Sequence, residues 1–182
     1  MPVSAFRKQK FADEFASWDS NGDGVLEATD FSLGADRMAD RMGVPVGSAA
    51  AKRVRDAYAA MWTKFFAPAD RDHDGRITLS ELQQAQEYLS DLPREQFEAS
   101  SREVIGASFD ALDLNADGKI SRPEYDAFLA VHGNAASAPE VWPRLDTDGD
   151  GHLSRDEFMR LSFEYFATDD PSAPGNLLFG RR

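Results

Sequence analysis

Four stretches of the chain repeat one pattern of twelve residues: 19–30 (DSNGDGVLEATD), 70–81 (DRDHDGRITLSE), 113–124 (DLNADGKISRPE) and 146–157 (DTDGDGHLSRDE). Each has Asp at position 1, Asn or Asp at position 3, Asp at 5, Gly at 6 and a carboxylate at 12. An acidic surface turn would explain the Asp, Asn and Gly residues, which favour turns. It would not explain a Gly fixed at position 6 or an aliphatic residue at position 8 of every copy. The repeats therefore predict four copies of one structural unit.

The spacing of these oxygen-bearing residues matches the calcium loop of the EF-hand, whose ligands come from positions 1, 3, 5, 7, 9 and 12. Ca²⁺ takes six to eight oxygen ligands, and Gly at position 6 permits the sharp turn that wraps the chain around the ion. At position 7 the ligand is the backbone carbonyl, so the side chain there does not matter. The candidate ligands are Asp19, Asn21, Asp23, Val25, Glu27 and Asp30 in loop one; Asp70, Asp72, Asp74, Arg76, Thr78 and Glu81 in loop two; Asp113, Asn115, Asp117, Lys119, Ser121 and Glu124 in loop three; Asp146, Asp148, Asp150, His152, Ser154 and Glu157 in loop four.

Loop one departs from the others at its last position, where Asp30 replaces Glu. Because Asp is one methylene shorter, a two-oxygen grip on Ca²⁺ requires the loop to tighten. A tighter site suits Mg²⁺ relatively better, since Mg²⁺ demands octahedral geometry at about 2.0–2.1 Å. Glu27 at position 9 supplies a further carboxylate. We predict up to four bound Ca²⁺ ions, with Mg²⁺ competing most at residues 19–30.

The residues that flank the loops predict an all-α fold of four helix–loop–helix units. An aromatic residue stands four positions before each loop and a large apolar residue directly after it, on the helix faces that can meet. These residues are Phe15, Phe66, Phe109 and Trp142 before the loops, and Phe31, Leu82, Tyr125 and Phe158 after them. The aliphatic residues at position 8 predict short β contacts between paired loops. Pro143 falls inside the helix that enters loop four, so we expect that helix to be short or kinked, with Ser137 and Glu140 as its capping box.

The order of the repeats predicts two lobes packed into a compact globule. Residues 1–92 would form the lobe of hands one and two, and residues 93–168 the lobe of hands three and four. The segment 43–48 would break the helices of the first lobe, and 91–93 would separate the lobes. Residues 169–182 would form an apolar tail that packs back onto the lobes. The alternative for the tail is a frayed terminus.

Composition narrows the functional classes. The net charge of −12 is explained by the loops, since fourteen carboxylates occupy their positions 1, 3, 5 and 12. There is no cysteine, no basic stripe for nucleic acid and no apolar run long enough for a membrane span. The N-terminus shows neither a signal peptide nor a myristoylation site. We expect a cytoplasmic monomer that is not an enzyme, because no nucleophile–base pair or phosphate loop is visible. His73 and His152 should be solvated, and His132 has no visible partner.

The chain resembles the calerythrin and sarcoplasmic calcium-binding protein family, which includes calexcitin-like proteins. The resemblance covers essentially the whole chain and includes the sequence FASWD at 15–19, Glu27 with Asp30 in loop one, and the tail at 170–180. It implies a two-lobed cytosolic calcium buffer or transport protein. Members often have a degenerate second hand, whereas Asp70 and Glu81 are intact here. We therefore expect four sites rather than the usual three.

Two further roles stay open beside the buffer. A sensor would expose an adaptable, methionine-rich groove to a target protein when it binds calcium. Five Met against thirteen Phe favour a fixed aromatic core instead. The apolar residues Leu177, Leu178 and Phe179 could fill the groove that a sensor would offer, or could be displaced by a target. In a third role the metal would serve only to hold the fold.

Overall fold

Each of the four loops is flanked by helices in the computed structural model, which describes residues 4–180 apart from the side chains of Ser90, Arg94, Ser100 and Val104. The helices are α1 (Ala5–Trp18), α2 (Ala28–Arg41), α3 (Ala49–Met61), α4 (Leu79–Ser90), α5 (Arg94–Leu112), α6 (Arg122–Val131), α7 (Ala138–Leu145) and α8 (Arg155–Ala167). Two strands, β1 (Lys119–Ser121) and β2 (His152–Ser154), lie in the loops. Shorter helical turns are Trp62–Phe66, Ala67–Ala69, Ala135–Ser137 and Pro174–Leu177. Residues 1–3 and 181–182, which begin the first lobe and end the tail in our sequence division, lie outside the described residues.

The last residues of each loop also start the helix that follows it. In loop two the Thr78 hydroxyl accepts a hydrogen bond from the Glu81 backbone N–H, and the Glu81 carboxylate accepts one from the Thr78 N–H at 2.9 Å. This reciprocal pair is a capping box, which satisfies two backbone donors that the first helical turn leaves open. Ser154 and Glu157 repeat it at the start of α8. A predicted metal ligand at position 12 is thus also the third residue of a helix.

The loops pair as their position-8 residues predict. Leu26 and Ile77 exchange two backbone hydrogen bonds of 2.9 Å, which join loops one and two. Loops three and four are joined by the antiparallel strands β1 and β2, with Ile120 opposite Leu153. All four side chains are completely buried. The all-α EF-hand fold, with short β contacts between paired loops, is confirmed.

The apolar residues flanking the loops meet in the core, as their helical spacing predicts. All eight are at most 7 % exposed. The Phe31 ring lies 4.8 Å from the Phe66 ring, and Tyr125 lies 5.4 Å from Trp142. In both pairs the helix leaving one hand contacts the segment entering the next. One continuous cluster of buried apolar residues includes members from all four hands, and α3 packs on α5 and α2 on α6.

Two local predictions at α7 have different outcomes. The helix is short, eight residues with Pro143 inside it, as expected. The predicted capping by Ser137 is wrong, because the Ser137 backbone is already helical and its hydroxyl donates to the Asn134 carbonyl at 2.8 Å. The preceding turn Ala135–Ser137 brings that carbonyl within reach. The expected helix breaks at 43–48 and 91–93 are present.

The segment after α8 turns back along that helix. Leu177 and Leu178 are buried in the core, and the Tyr125 hydroxyl lies 3.2 Å from both of their carbonyl oxygens. The Phe179 ring lies 4.8 Å from that of Tyr165. The backbone of Gly175 passes so close to α8 that a Cβ would lie 2.5 Å from the Leu161 carbonyl oxygen. Within residues 4–180, none of the helices has the length and apolar character that crossing a membrane requires.

Candidate metal centre

The side chains at positions 1, 3 and 5 hold the turn of each loop by accepting backbone hydrogen bonds. In loop two the Asp70 carboxylate accepts from the N–H groups of His73 at 2.8 Å and Gly75 at 3.0 Å. Asp72 accepts from Asp74, and Asp74 accepts from Arg76. Corresponding bonds occur in the other three loops. The predicted ligands therefore shape the loop as well as carrying its charge.

Glycine at position 6 is required by the backbone. Gly24, Gly75, Gly118 and Gly151 have φ angles between 83° and 86°. This left-handed region is costly for residues with a Cβ. The sequence prediction that these glycines hold the turn is confirmed.

The structure gathers carboxylate oxygens in loops two and four. Oxygens of Asp70, Asp72 and Asp74 all lie within 4.8 Å of one another, and so do oxygens of Asp146, Asp148 and Glu157. Ligands on opposite sides of a Ca²⁺ ion stand about 4.8 Å apart, twice a typical Ca–O distance of about 2.4 Å. An all-oxygen, mostly anionic set of this spread fits a hard cation such as Ca²⁺. In loops one and three, Asn21 and Asn115 at position 3 offer a neutral oxygen in place of one carboxylate.

Hydrogen bonds favour the ionised form of several of these carboxylates. The backbone N–H of Thr78 lowers the pKa of Glu81, with further donation from the Thr78 hydroxyl and from loop N–H groups. The backbone N–H of His152 lowers the pKa of Asp150, and the positive charge of Lys119 acts in the same direction. Groups held ionised are ready to bind a cation without first releasing a proton.

Asp30 closes loop one in the same way that Glu closes the others. Its carboxylate accepts from the N–H groups of Ser20 at 3.0 Å, Asn21 at 3.2 Å and Glu27 at 3.0 Å. Glu124 of loop three makes the equivalent bonds from the end of a longer side chain. Asp30 is as deeply buried as Glu124, so the shorter side chain makes the same closing bonds with one methylene less.

The three histidines differ in their surroundings. His73 is exposed and has a φ of 61°, as its outward-facing position predicts. His152 is half-buried with its Nδ1 shielded from water, so the expectation of a solvated side chain is wrong. His132, for which the sequence shows no partner, is buried, with Nδ1 2.8 Å from the Ser17 carbonyl oxygen and its ring against Trp18.

Loop four contains one supporting contact that the ligand pattern does not predict. The Thr147 hydroxyl donates to the Glu157 carboxylate at 3.2 Å, so position 2 helps to hold the residue at position 12. Position 2 is absent from the ligand pattern, and the other loops carry Ser, Arg and Leu there. A hydroxyl at position 2 is the only signal that could have revealed this contact.

Comparison with known proteins agrees with this geometry. The family described as an EF-hand domain pair matches residues 60–130, and that described as an EF hand matches residues 144–162. Calerythrin from Saccharopolyspora erythraea is 31% identical over 162 residues, covering 86% of this chain and 90% of calerythrin. The alpha chain of sarcoplasmic calcium-binding protein from Penaeus vannamei is 27% identical over 177 residues, or 90% of this chain and 89% of that protein.

A solved structure is similar over nearly the same span. It is the structure of a Streptomyces coelicolor calcium-binding protein that carries out prokaryotic calcium-mediated regulation. It superposes with a TM-score of 0.71 at 28% identity and covers 88% of this chain and 97% of its own.

Proposed function

The chain belongs to the family of calerythrin and the sarcoplasmic calcium-binding proteins, and we propose that within this family it acts as a calcium buffer with four EF-hand sites. It is a calcium-binding EF-hand protein, and we propose that Mg²⁺ competes for its sites, most at residues 19–30. The proposed ligands are the residues at positions 1, 3, 5, 7, 9 and 12 of the four loops named above. Residues 1–92 and 93–168 are the two proposed units, with 169–182 as the tail.

The observation that carries the buffer role is the burial of the tail. Leu177 and Leu178 are 6 % and 1 % exposed, and the Tyr125 hydroxyl is placed to hydrogen-bond their carbonyls. A sensor works by exposing an apolar groove when calcium binds. In this chain its own C-terminal segment lies against the core, which favours a protein that holds calcium without recruiting a target.

The placement of methionine supports the same role. Met38 and Met61 are buried in the aromatic core, at 0 % and 2 % exposure. Flexible methionine side chains suit adaptable binding surfaces when they line an open groove. Here these two are packed among rings, so they are not available to a partner helix.

A titration of calcium by calorimetry, with and without millimolar Mg²⁺, tests the site count. We expect four Ca²⁺ per chain in the absence of Mg²⁺, with weaker apparent affinity at one site in its presence. Three ions per chain without Mg²⁺ would overturn the proposal of four sites.

A truncation before Pro171 tests the role of the tail. We expect calcium-loaded full-length protein to bind little hydrophobic dye and the truncated form to bind much more, because the surface under Leu177 and Leu178 is uncovered. Equal dye binding by the two calcium-loaded proteins would contradict this reading of the tail.

The alternative function is a calcium sensor that regulates a target protein. It is favoured by one observation, the calcium-mediated regulation ascribed to the similar Streptomyces coelicolor protein. The two roles differ in the full-length protein itself. A strong rise in dye binding when calcium is added to the intact chain would replace the buffer with the sensor.

A further inference from the structure

A buried carboxyl group that plays no part in the metal loops lies where α1 meets the second lobe. Glu14 of α1 is 3 % exposed. Gln86 of α4 donates to its carboxylate from Nε2 at 2.8 Å, and the Tyr165 hydroxyl of α8 is a further hydrogen-bonding neighbour. That hydroxyl also lies 3.2 Å from the Lys10 carbonyl oxygen. Glu14 therefore touches helices from the second and fourth hands while belonging to the first.

Cations of the same helix fix α1 to the end of α8. Lys10 is 7 % exposed, and its ammonium group donates to the carbonyls of Tyr165 and, at 3.2 Å, Thr168. It also reaches the Asn176 side chain in the tail at 3.0 Å. Arg7 donates to the Phe166 carbonyl at 3.3 Å. These two cations occupy the C-terminal end of α8, where the helix dipole favours positive charge.

The charged groups around Glu14 come from several elements. On α1 they are Lys10, Arg7 and Asp13, and on α8 and just beyond it they are Glu164, Tyr165 and Asp169. From α4 the neighbour is Gln86, which does not titrate. The His132 ring follows α6 and contacts the carbonyl of Ser17, one turn further along α1. The Gln86 hydrogen bond, the Lys10 charge and the Tyr165 hydroxyl offset only part of the cost of burying the Glu14 carboxylate.

Burial raises the pKa of Glu14 to about 7 from an ordinary value of 4.5, and the Gln86 hydrogen bond and the Lys10 charge reverse only part of this. At a pH between these two pKa values, Glu14 therefore keeps its proton in the closed globule and loses it in an open chain. In this window the closed state binds more protons than the open one, so its stability falls as pH rises from 4.5 to about 7 and levels off above that.

We propose that calcium binding by this protein is coupled to the uptake of one proton at Glu14. The helix that carries Glu14 runs directly into loop one, and α8 begins in loop four at the helix cap that Glu157 completes. Metal-free loops crowd carboxylates together and repel, so binding of the ions is coupled to ordering of the flanking helices. When the helices close, Glu14 passes from water into the contact between α1, α4 and α8. This inference rests on calcium binding and goes beyond the buffer role.

The test is calcium titration by calorimetry in buffers of different protonation heat, on the full chain. We expect net proton uptake at pH 6 that declines towards pH 8, because burial raises the pKa of Glu14 from 4.5 to about 7. Glu14→Gln should abolish this uptake. Asp13→Asn, which changes the preceding carboxylate of the same helix, should retain it. The absence of uptake in the wild type, or equal uptake in Glu14→Gln, would overturn the proposal.

A second variant moves the proton uptake rather than removing it. Gln86→Met deletes a donor that lowers the pKa of Glu14, so uptake should extend to higher pH and exceed the wild-type value at pH 8. His132→Gln separates any contribution of the nearby imidazole and should leave the uptake in place. If uptake is lost with His132→Gln and kept with Glu14→Gln, the proton belongs to the histidine and the proposal fails. The ion count from the same titrations reports on the buffer proposal independently.

Discussion

Asp30 is the residue that sets loop one apart. It makes the hydrogen bonds that Glu124 makes in loop three, but with one methylene less. Replacing Asp30 with Glu should let loop one widen and raise its selectivity for Ca²⁺ over Mg²⁺ by about tenfold, equivalent to about 1.4 kcal/mol. Calorimetric titration with each ion would measure this ratio.

The reciprocal change, Glu124→Asp in loop three, is the matched comparison. It should lower the Ca²⁺ over Mg²⁺ ratio at that site by a similar factor. If Asp30→Glu leaves the selectivity of loop one unchanged, side-chain length at position 12 does not control ion choice in this chain.

At the scale of single residues, the sequence predicts which residues are metal ligands far better than it predicts which charged residues are buried. The loop residues follow from a fixed spacing, because each must reach one ion. Glu14 and Lys10 lie in a run of charged residues that reads as a solvated helix face. The burial of Glu14 depends in part on α4, and that of Lys10 on α8 and the tail, more than 150 residues away. No local pattern in the sequence indicates these contacts.

Among the elements, the contact between the tail and α8 depends on one glycine. A Cβ at residue 175 would lie 2.5 Å from the Leu161 carbonyl oxygen and 2.8 Å from the Tyr165 nitrogen, both backbone atoms of a helix. Gly175→Ala should therefore push the tail away, destabilise the protein by about 1–3 kcal/mol and increase dye binding. Thermal unfolding and dye fluorescence of the calcium-loaded protein would show both effects.

Gly106→Ala in α5 provides the control. A Cβ there would meet only the tip of the Arg155 side chain at 3.6 Å, so this substitution should stabilise the helix by about 0.5–1 kcal/mol. A Gly175→Ala protein that is as stable as the Gly106→Ala protein would show that the tail does not need its close approach to α8.

Element boundaries were predictable where side-chain chemistry marks them. Pro143 indicated a short α7, and the position-9 and position-12 residues mark the starts of α4, α6 and α8. The π-helical turn Trp62–Phe66, followed by the turn Ala67–Ala69, was not predicted. Its aromatic residues show ordinary helical spacing in the sequence. Burial of Phe66 against Phe31 and Trp18 then fixes how the chain enters loop two.

For the molecule as a whole, the shared core predicts cooperative unfolding. The apolar cluster continues from Phe31 and Phe66 of hands one and two, the first proposed lobe, to Phe109 and Phe158 of hands three and four, the second. We expect one thermal transition in scanning calorimetry, with calorimetric and van't Hoff enthalpies that agree. Two separate transitions would show that the lobes unfold independently.

Calcium removal should lower this transition strongly. Each site filled at a thousand times its dissociation constant stabilises the folded state by about 4 kcal/mol, so chelation should reduce the melting temperature by more than about 10 °C. Calorimetry in calcium and in chelator measures the shift. An unchanged melting temperature would mean that metal binding and folding are not linked.

The attachment of Lys10 and Arg7 to the end of α8 constrains how the chain can fold during synthesis. The carbonyls that anchor α1 lie in α8, 155 to 159 residues later in the chain. Contacts of such long sequence separation form late, because the intervening chain must be ordered first. The Lys10 face of α1 and the apolar surface that receives Leu178 therefore stay uncovered in the nascent chain until α8 and the tail have been synthesised. During that interval both surfaces are open to chaperones or to a neighbouring nascent copy.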